Sequence, residues 1–234
     1  MHLTPRLKAI ADSIHRCKSV ADIGSDHAYL PIYLAINKKA EKGIATDVNK
    51  GPAHISRERI KRYGQEEIID VRIGYGLKVL NSYEADVIII SGMGGLLIID
   101  IIEESLDIAR SSQMLILQPM KDSYLLRKWL VKNYFGILDV EIVKEGNKFY
   151  EIIWAVPNDK SNESKAINYI DDKLLNKKNP VLLEYLDNKI NEYETIIKKL
   201  EIHNTPNAIK RYKECVDILE YYKEVKTWMQ QNAE

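Results

Sequence analysis

The sequence predicts an α/β protein: a mostly parallel sheet with an antiparallel C-terminal hairpin, followed by a helical, coiled-coil-like hairpin domain. Three observations carry this expectation. Strand-like and helix-like segments alternate over the first 157 residues, as crossover connections between parallel strands require. The run Val87-Ile88-Ile89-Ile90 is β-branched and apolar on both faces, as a central strand between two helical layers must be. From Ala166 onward glycine is absent, and apolar residues recur at alternating spacings of three and four.

Taken in order, LTPRLKAIADSI reads as a helix, with Thr4 as its cap, Pro5 at its first position and Leu7, Ile10, Ala11 and Ile14 along one face. SVADIG is a short buried strand, and AYLPIYLAI an apolar helix with Pro31 near its first turn. KGIATDV is a second strand. GPAHISRERIKRYG is a helix closed by Gly64. IIDVRIG and ADVIIISGMGG are the third and fourth strands, and LLIIDIIEESLDIA reads as one helix after them. SQMLILQPM is a strand and DSYLLRKWLVKNYF a helix. ILDVEIVKEGN and KFYEIIWAV flank the turn signal Glu145-Gly146-Asn147, which predicts an antiparallel hairpin.

The polar stretch Pro157 to Ser164 reads as a linker, which sets the expected domains at 1–157 and 158–234. In the second, Leu183, Leu186, Ile190, Tyr193, Ile197 and Leu200 form a coiled-coil seam. HNTPNA breaks that helix and Thr205-Pro206 restarts one. Ile209, Tyr212, Val216 and Leu219 give a second seam, so the two helices should form an antiparallel hairpin.

Composition narrows the function classes. Apolar residues are 45% of the 234, enough for a packed core. Lys+Arg and Asp+Glu are both 34, so a nucleic-acid partner would have to be met by a local patch. Cys17 and Cys215 lie far apart without metal-ligand spacing, which points to a reducing compartment. No signal-peptide core and no membrane-length apolar run is present, so a cytoplasmic protein without a membrane partner is expected. His2, His15, His27, His54 and His203 show no ligand spacing with cysteine or acid, so no metal is expected.

In a doubly wound sheet, ligands bind beyond the carboxyl ends of the strands, near the point where the strand order reverses. The candidates there are Asp22-Ile23-Gly24-Ser25-Asp26-His27, Asp47-Val48-Asn49, Gly74-Tyr75-Gly76 and Ser91-Gly92-Met93-Gly94-Gly95. Gly24 allows close approach of backbone to ligand. Asp47, at the end of the second strand, is placed to accept hydrogen bonds from ribose hydroxyls. The first loop departs from GxGxxG, and Asp22 and Asp26 would set two negative charges against a pyrophosphate. A cofactor without phosphate and with a positive charge suits it better, and S-adenosyl-L-methionine has both properties.

These same stretches resemble a known family. LTPRLKAIADSI, VADIGSDHAYLP, IATDVNKGP, GYGLKVL, IISGMGG, LILQPM and KFYEIIWAV are similar to the TrmK family of tRNA (adenine-N1)-methyltransferases, which act on adenine 22 of bacterial tRNA. The resemblance implies a Rossmann-like class I methyltransferase sheet followed by the helical hairpin. It further implies that Asp22, Gly24, Ser25, His27, Asp47 and Val48 bind S-adenosyl-L-methionine. Gly74, Tyr75 and Gly76 would lie beside its adenine, and Ser91, Gly92, Met93 and Gly94 would line the reaction pocket. Tyr75 stands where such methyltransferases more often carry a small polar or acidic residue, so stacking on the adenine replaces a side-chain hydrogen bond in this expectation.

Asp26 is the candidate catalytic residue, either as a proton acceptor or as a stabiliser of the cationic product base. A helix cap before Ala28 is the alternative role. Tyr29 would stack on the target adenine or pack in the core. For tRNA contact the candidates are the basic stretch Arg57 to Arg62, with Arg57, Lys61 and Arg62, and Arg127-Lys128 with Lys132. Lys198-Lys199 and Lys210-Arg211-Lys213 flank the hairpin tip and would meet phosphates. Solvated helix faces are the plain alternative. The protein is expected to act as a monomer. An NAD-dependent oxidoreductase, a methyltransferase with another acceptor and a non-catalytic docking protein are the competing readings.

Overall fold

The strands are β1 (Cys17–Ile23), β2 (Ala40–Asp47), β3 (Ile69–Ile73), β4 (Val87–Met93), β5 (Met114–Pro119), β6 (Gly136–Glu145) and β7 (Lys148–Val156). They form a single sheet in the order β3-β2-β1-β4-β5-β7-β6. β1 pairs in parallel with β2 and β4, and β4 with β5, whereas β7 runs antiparallel to both β5 and β6. The strand order therefore reverses between β1 and β4, as a ligand crevice requires. The computed structural model describes residues 1–159, 168–177, 179–203 and 205–232. These fall into two compact units, Met1–Ala166 and Ile167–Glu234.

Helices α1 (Pro5–Ser13), α2 (Tyr29–Ile36), α3 (Lys50–Arg62), α4 (Gly95–Glu103), α5 (Leu106–Ser111) and α6 (Ser123–Lys132) cover the sheet. Alternation along β4 divides its residues between the two faces. Val87 and Ile89 join a cluster with Ile10 of α1, Ile14 just after it, Leu34 of α2 and Trp154 of β7. Ile88 and Ile90 are equally buried and point the other way. Trp154 Nε1 donates to Ser13 Oγ at 2.8 Å, so the outgoing strand is tied to the first helix. The hairpin between β6 and β7 turns through Gly146, at φ +59°, with Glu145 opposite Lys148.

Several expectations are corrected. Thr4 does precede α1, but its hydroxyl makes no capping hydrogen bond. The single helix expected after β4 is two, broken at Glu104 and Ser105. There Glu103-Glu104-Ser105 interrupts the apolar face, and serine competes for backbone hydrogen bonds. Arg127 is not a surface cation. It is buried and ion-paired at 2.9 Å with buried Glu151 of β7, so α6 presents Lys128 and Lys132 alone.

In the second unit α7 (Asp172–Asn176) precedes α8 (Pro180–Leu200) and α9 (Pro206–Gln231). Asn179 and Thr205 cap α8 and α9 through bonds from Val181 N and Ala208 N. The long helices run antiparallel, joined by Lys223 to Glu194 and Lys226 to Asp187. On α8, Leu186 and Ile197 of the expected seam are buried. On α9 the buried residues are Cys215, Ile218 and Tyr222, one position from the expected stripe, and Ile209 is exposed. The tyrosines explain the shift. Tyr222 packs on Tyr193 and Tyr169 with ring centroids 5.7 and 6.3 Å apart, and burying that large ring outweighs an aliphatic stripe. The linker from Pro157 to Ser164 lies beyond residue 159 for most of its length, outside the described residues.

Candidate active site

Backbone contacts draw the loops at the carboxyl ends of β3, β2, β1 and β4 into one row. Gly74 N donates to Asp47 O at 2.9 Å, joining the third loop to the second. Ser25 N donates to Thr46 O at 2.8 Å, and Gly24 N to Thr46 Oγ1 at 3.3 Å, joining the second to the first. Gly24 has φ +67°, and a Cβ there would lie 2.3 Å from Met93 Cε, so the first loop rests against the fourth. That contact falls at the reversal of strand order.

Asp22 is the charged group at the centre of this row. It sits in β1 between Ala45 and Ile89, and only 3% of its surface is exposed. Its Oδ2 accepts from Ser25 Oγ at 2.6 Å. Burial pushes its carboxyl up to about 6, opposed by the Ser25 hydrogen bond and the positive charge of Arg6. A buried carboxylate of this kind favours a cationic ligand. Asp47 Oδ1 accepts from Asn49 N at 2.8 Å, which fixes its rotamer at the end of β2, while Val48 is exposed. Tyr75 is exposed beyond β3, and Gly76 at φ +56° lets the following 3-10 turn (Gly76–Val79) pack close to Ile101.

The backbone after Ser25 is strained. Asp26, His27 and Ala28 all adopt left-handed conformations, with φ of +37°, +77° and +58°. Such residues are costly and cluster where function holds them. The capping position before α2 is taken by Ala28, so Asp26 is not a helix cap. Its side chain is 83% exposed, with Oδ1 3.3 Å from His27 Nε2. His27 Nδ1 is buried and has no hydrogen-bond partner among the described residues. Tyr29 opens α2, is partly buried against the core, and has the Arg59 guanidinium 3.9 Å from its ring centroid. Arg59 also donates to His27 O at 3.3 Å. On α3, Arg57, Lys61 and Arg62 are all exposed, and Arg57 also donates to Val71 O at 2.9 Å.

The fourth loop contains a β-bulge. Ser91 pairs with Gln118 and Met93 with Pro119, so Gly92 is the extra residue, at φ +79°. Gly94 caps α4, and Gly95 packs so tightly on the Lys121-Asp122 backbone that a Cβ would lie 2.6 Å from Asp122 O. Sequence reasoning assigned no site role to Arg6 or Gln118, and read Arg59 only as part of the basic stretch Arg57 to Arg62. Each reaches the site from an element distant in sequence, and the LTPRLKAIADSI and LILQPM stretches were the signals for the first two. Lys210 and Arg211 belong to the second unit and are exposed at the start of α9. No group of three potential metal-ligating side chains occurs among the described residues.

The order of the strands and the ligand edge define the class: residues 3–153 match the family described as a methyltransferase domain, and the sheet is the Rossmann-like fold of that class. The tRNA (adenine(22)-N(1))-methyltransferase of Bacillus subtilis is 34% identical over 231 residues, covering 96% of this chain and 97% of that protein. The crystal structure of the B. subtilis M1A22 tRNA methyltransferase TrmK has a TM-score of 0.85 over 96% of this chain and 99% of its own. M. capricolum TrmK, solved with S-adenosyl-homocysteine, is 26% identical with a TM-score of 0.80, over 98% and 99% of the two chains. A Streptococcus pneumoniae relative solved with S-adenosyl-L-methionine is 31% identical with a TM-score of 0.79, over 96% and 100%. The chain belongs to the TrmK family of tRNA (adenine(22)-N(1))-methyltransferases.

Proposed function

We propose that this protein transfers the methyl group of S-adenosyl-L-methionine to N1 of adenine 22 in tRNA. The observation that carries the reading is the row of four loops at the strand reversal, centred on buried Asp22 beside left-handed Gly24. The residues present fit the cofactor. Asp22 offers negative charge to a cationic group, Asp47 a carboxylate to ribose hydroxyls, and neither suits a pyrophosphate. Gly24, Ser25, His27, Val48, Gly74, Tyr75, Gly76, Ser91, Gly92 and Met93 complete the proposed cofactor site.

S-adenosyl-L-methionine supplies an electrophilic methyl group on a positively charged sulfur. N1 lies on the Watson–Crick edge of adenine, so the site must receive an unpaired or flipped base. Its lone pair has to be aimed at the methyl carbon, opposite the sulfur, which makes positioning the main catalytic task. In this proposal Tyr29 and Gly94 contact the base. Asp26, exposed next to the cofactor loop, takes a proton from the exocyclic amine or balances the charge of the methylated ring. Arg57, Lys61 and Arg62 on α3, and Lys210 and Arg211 on the helical hairpin, contact tRNA phosphates. Action as a monomer is part of this proposal. A tRNA substrate supports a cytoplasmic setting, and no helix among the described residues is long and apolar enough to cross a membrane.

The test is incubation with methyl-labelled S-adenosyl-L-methionine and unmodified tRNA, followed by digestion to nucleosides. Label in 1-methyladenosine, lost when adenine 22 is replaced, is the expected result. Bound cofactor without label in tRNA would send the search to another acceptor.

A further inference from the structure

Gln118 is wholly buried at the end of β5, directly beneath the Gly92 bulge. A buried amide side chain needs a complete set of partners, and here each is identifiable. Its Oε1 accepts from Gly92 N at 3.0 Å and from Arg6 Nη1 at 2.6 Å. Its Nε2 donates to Pro119 O at 3.0 Å, with Met120 Sδ 3.8 Å away. The orientation of the amide is forced. Rotated by half a turn, its NH2 group would face two other donors, and its oxygen would face a carbonyl.

The bulge explains why such a residue is required. An extra residue in a strand leaves its backbone N–H without a ladder partner, and a buried orphan donor is costly. Gln118 takes up the Gly92 N–H that the ladder leaves over. Arg6 then locks the amide from the far side. It is held by α1, where its own backbone N donates to Glu145 Oε2 at 3.2 Å. Its guanidinium is also close to Gly92, 3.6 Å from where a Cβ would be. Ser91, Gly92 and Met93 line the proposed reaction pocket, so their backbone directions set where the acceptor base can sit.

We propose that Gln118 and Arg6 are positioning residues that hold the Gly92 bulge in the conformation that aims the acceptor base at the methyl donor. This rests on the methyltransferase reading above. Neither residue need touch the base. The effect of Gln118 falls on the geometry of transfer, while cofactor contacts made by Asp22, Asp47 and the first loop are left in place; Arg6 in addition sets its positive charge beside Asp22.

The test uses the full chain with Gln118→Met, which keeps volume but removes the acceptor, and Gln118→Glu, which keeps an acceptor for both Gly92 and Arg6. Single-turnover methylation of tRNA, S-adenosyl-L-methionine affinity and hydrogen exchange at the Gly92 amide are measured on each. The expected result for Gln118→Met is a fall in transfer rate on the order of 100-fold, the scale of a small misplacement of reacting atoms. Cofactor affinity should fall far less than the rate, because Asp22, Asp47 and the first loop keep their contacts, and Gly92 exchange should quicken. Gln118→Glu should recover part of the rate and the protection, because its second oxygen meets Pro119 O where the amide donated, and Arg6→Ala should reproduce a milder form of the Gln118→Met defect. Wild-type transfer by a folded Gln118→Met protein overturns the proposal, as does loss of cofactor binding in parallel with rate. If wild-type protein itself leaves tRNA unlabelled while binding cofactor, the acceptor reading falls and takes this role with it.

Discussion

At the scale of single residues, Asp22 and Asp26 show how two acids four positions apart are given opposite environments. Asp22 is buried and its carboxyl titrates near 6, above its ordinary value of 3.8. A folded-state value raised above the unfolded one means that the neutral acid favours the fold. That contribution is complete below about pH 4 and is lost as pH rises through about 6. The cofactor-free protein should therefore lose thermal stability across this window. S-adenosyl-L-methionine affinity should rise across the same window, because its positive charge favours ionised Asp22. Calorimetry at a series of pH values checks both, and Asp22→Asn should flatten the two curves. An affinity that does not vary from pH 5 to 7 would count against Asp22 as the charge partner. Asp26 is the opposite case, exposed and close to His27. Asp26→Asn should cut turnover by about 100-fold, the lower range for loss of a proton-transferring group, with cofactor binding intact. Near-normal turnover would remove Asp26 from the chemistry.

At the scale of elements, the site depends on what each strand does just after it ends. Gly24→Ala tests the seam between β1 and β4. A left-handed alanine costs roughly 1–2 kcal/mol, and its methyl group would displace Met93. Both a lower melting temperature and weaker cofactor binding should follow. Most of these elements were legible in the sequence because they are written locally. The Val87–Ile90 run, the glycines that end strands and the proline starts of α1 and α9 each need only neighbouring residues. What was not legible depends on partners remote in the chain. Arg6 reaches Gln118 across 112 positions. Arg127 looked like a surface cation until Glu151 lay beside it. The α9 stripe shifted by one residue because tyrosines from α8 and the segment before α7 compete for the same space. The capping role weighed for Asp26 failed for a different reason: three left-handed residues move the start of α2 to Tyr29.

At the scale of the whole molecule, zero net charge makes local clusters decide what the protein can grip. Lys198 and Lys199 close α8, and Lys210, Arg211 and Lys213 open α9, all of them exposed. Replacing them with glutamine should weaken tRNA binding. It should also flatten the dependence of affinity on salt, by roughly 0.7–0.9 in the log–log slope for each phosphate no longer neutralised. Filter binding at several ionic strengths measures this, and an unchanged slope would mean that the hairpin is not the grip.

The left-handed run at Asp26, His27 and Ala28 also bears on how such a protein can change over time. Each of the three would sit more comfortably as glycine, so a lineage pressed toward heat tolerance has easy gains here. Taking them would remove a carboxylate and an imidazole from the rim of the site. On the roles proposed for Asp26 and His27, adaptation to temperature is thus set against chemistry at one short loop.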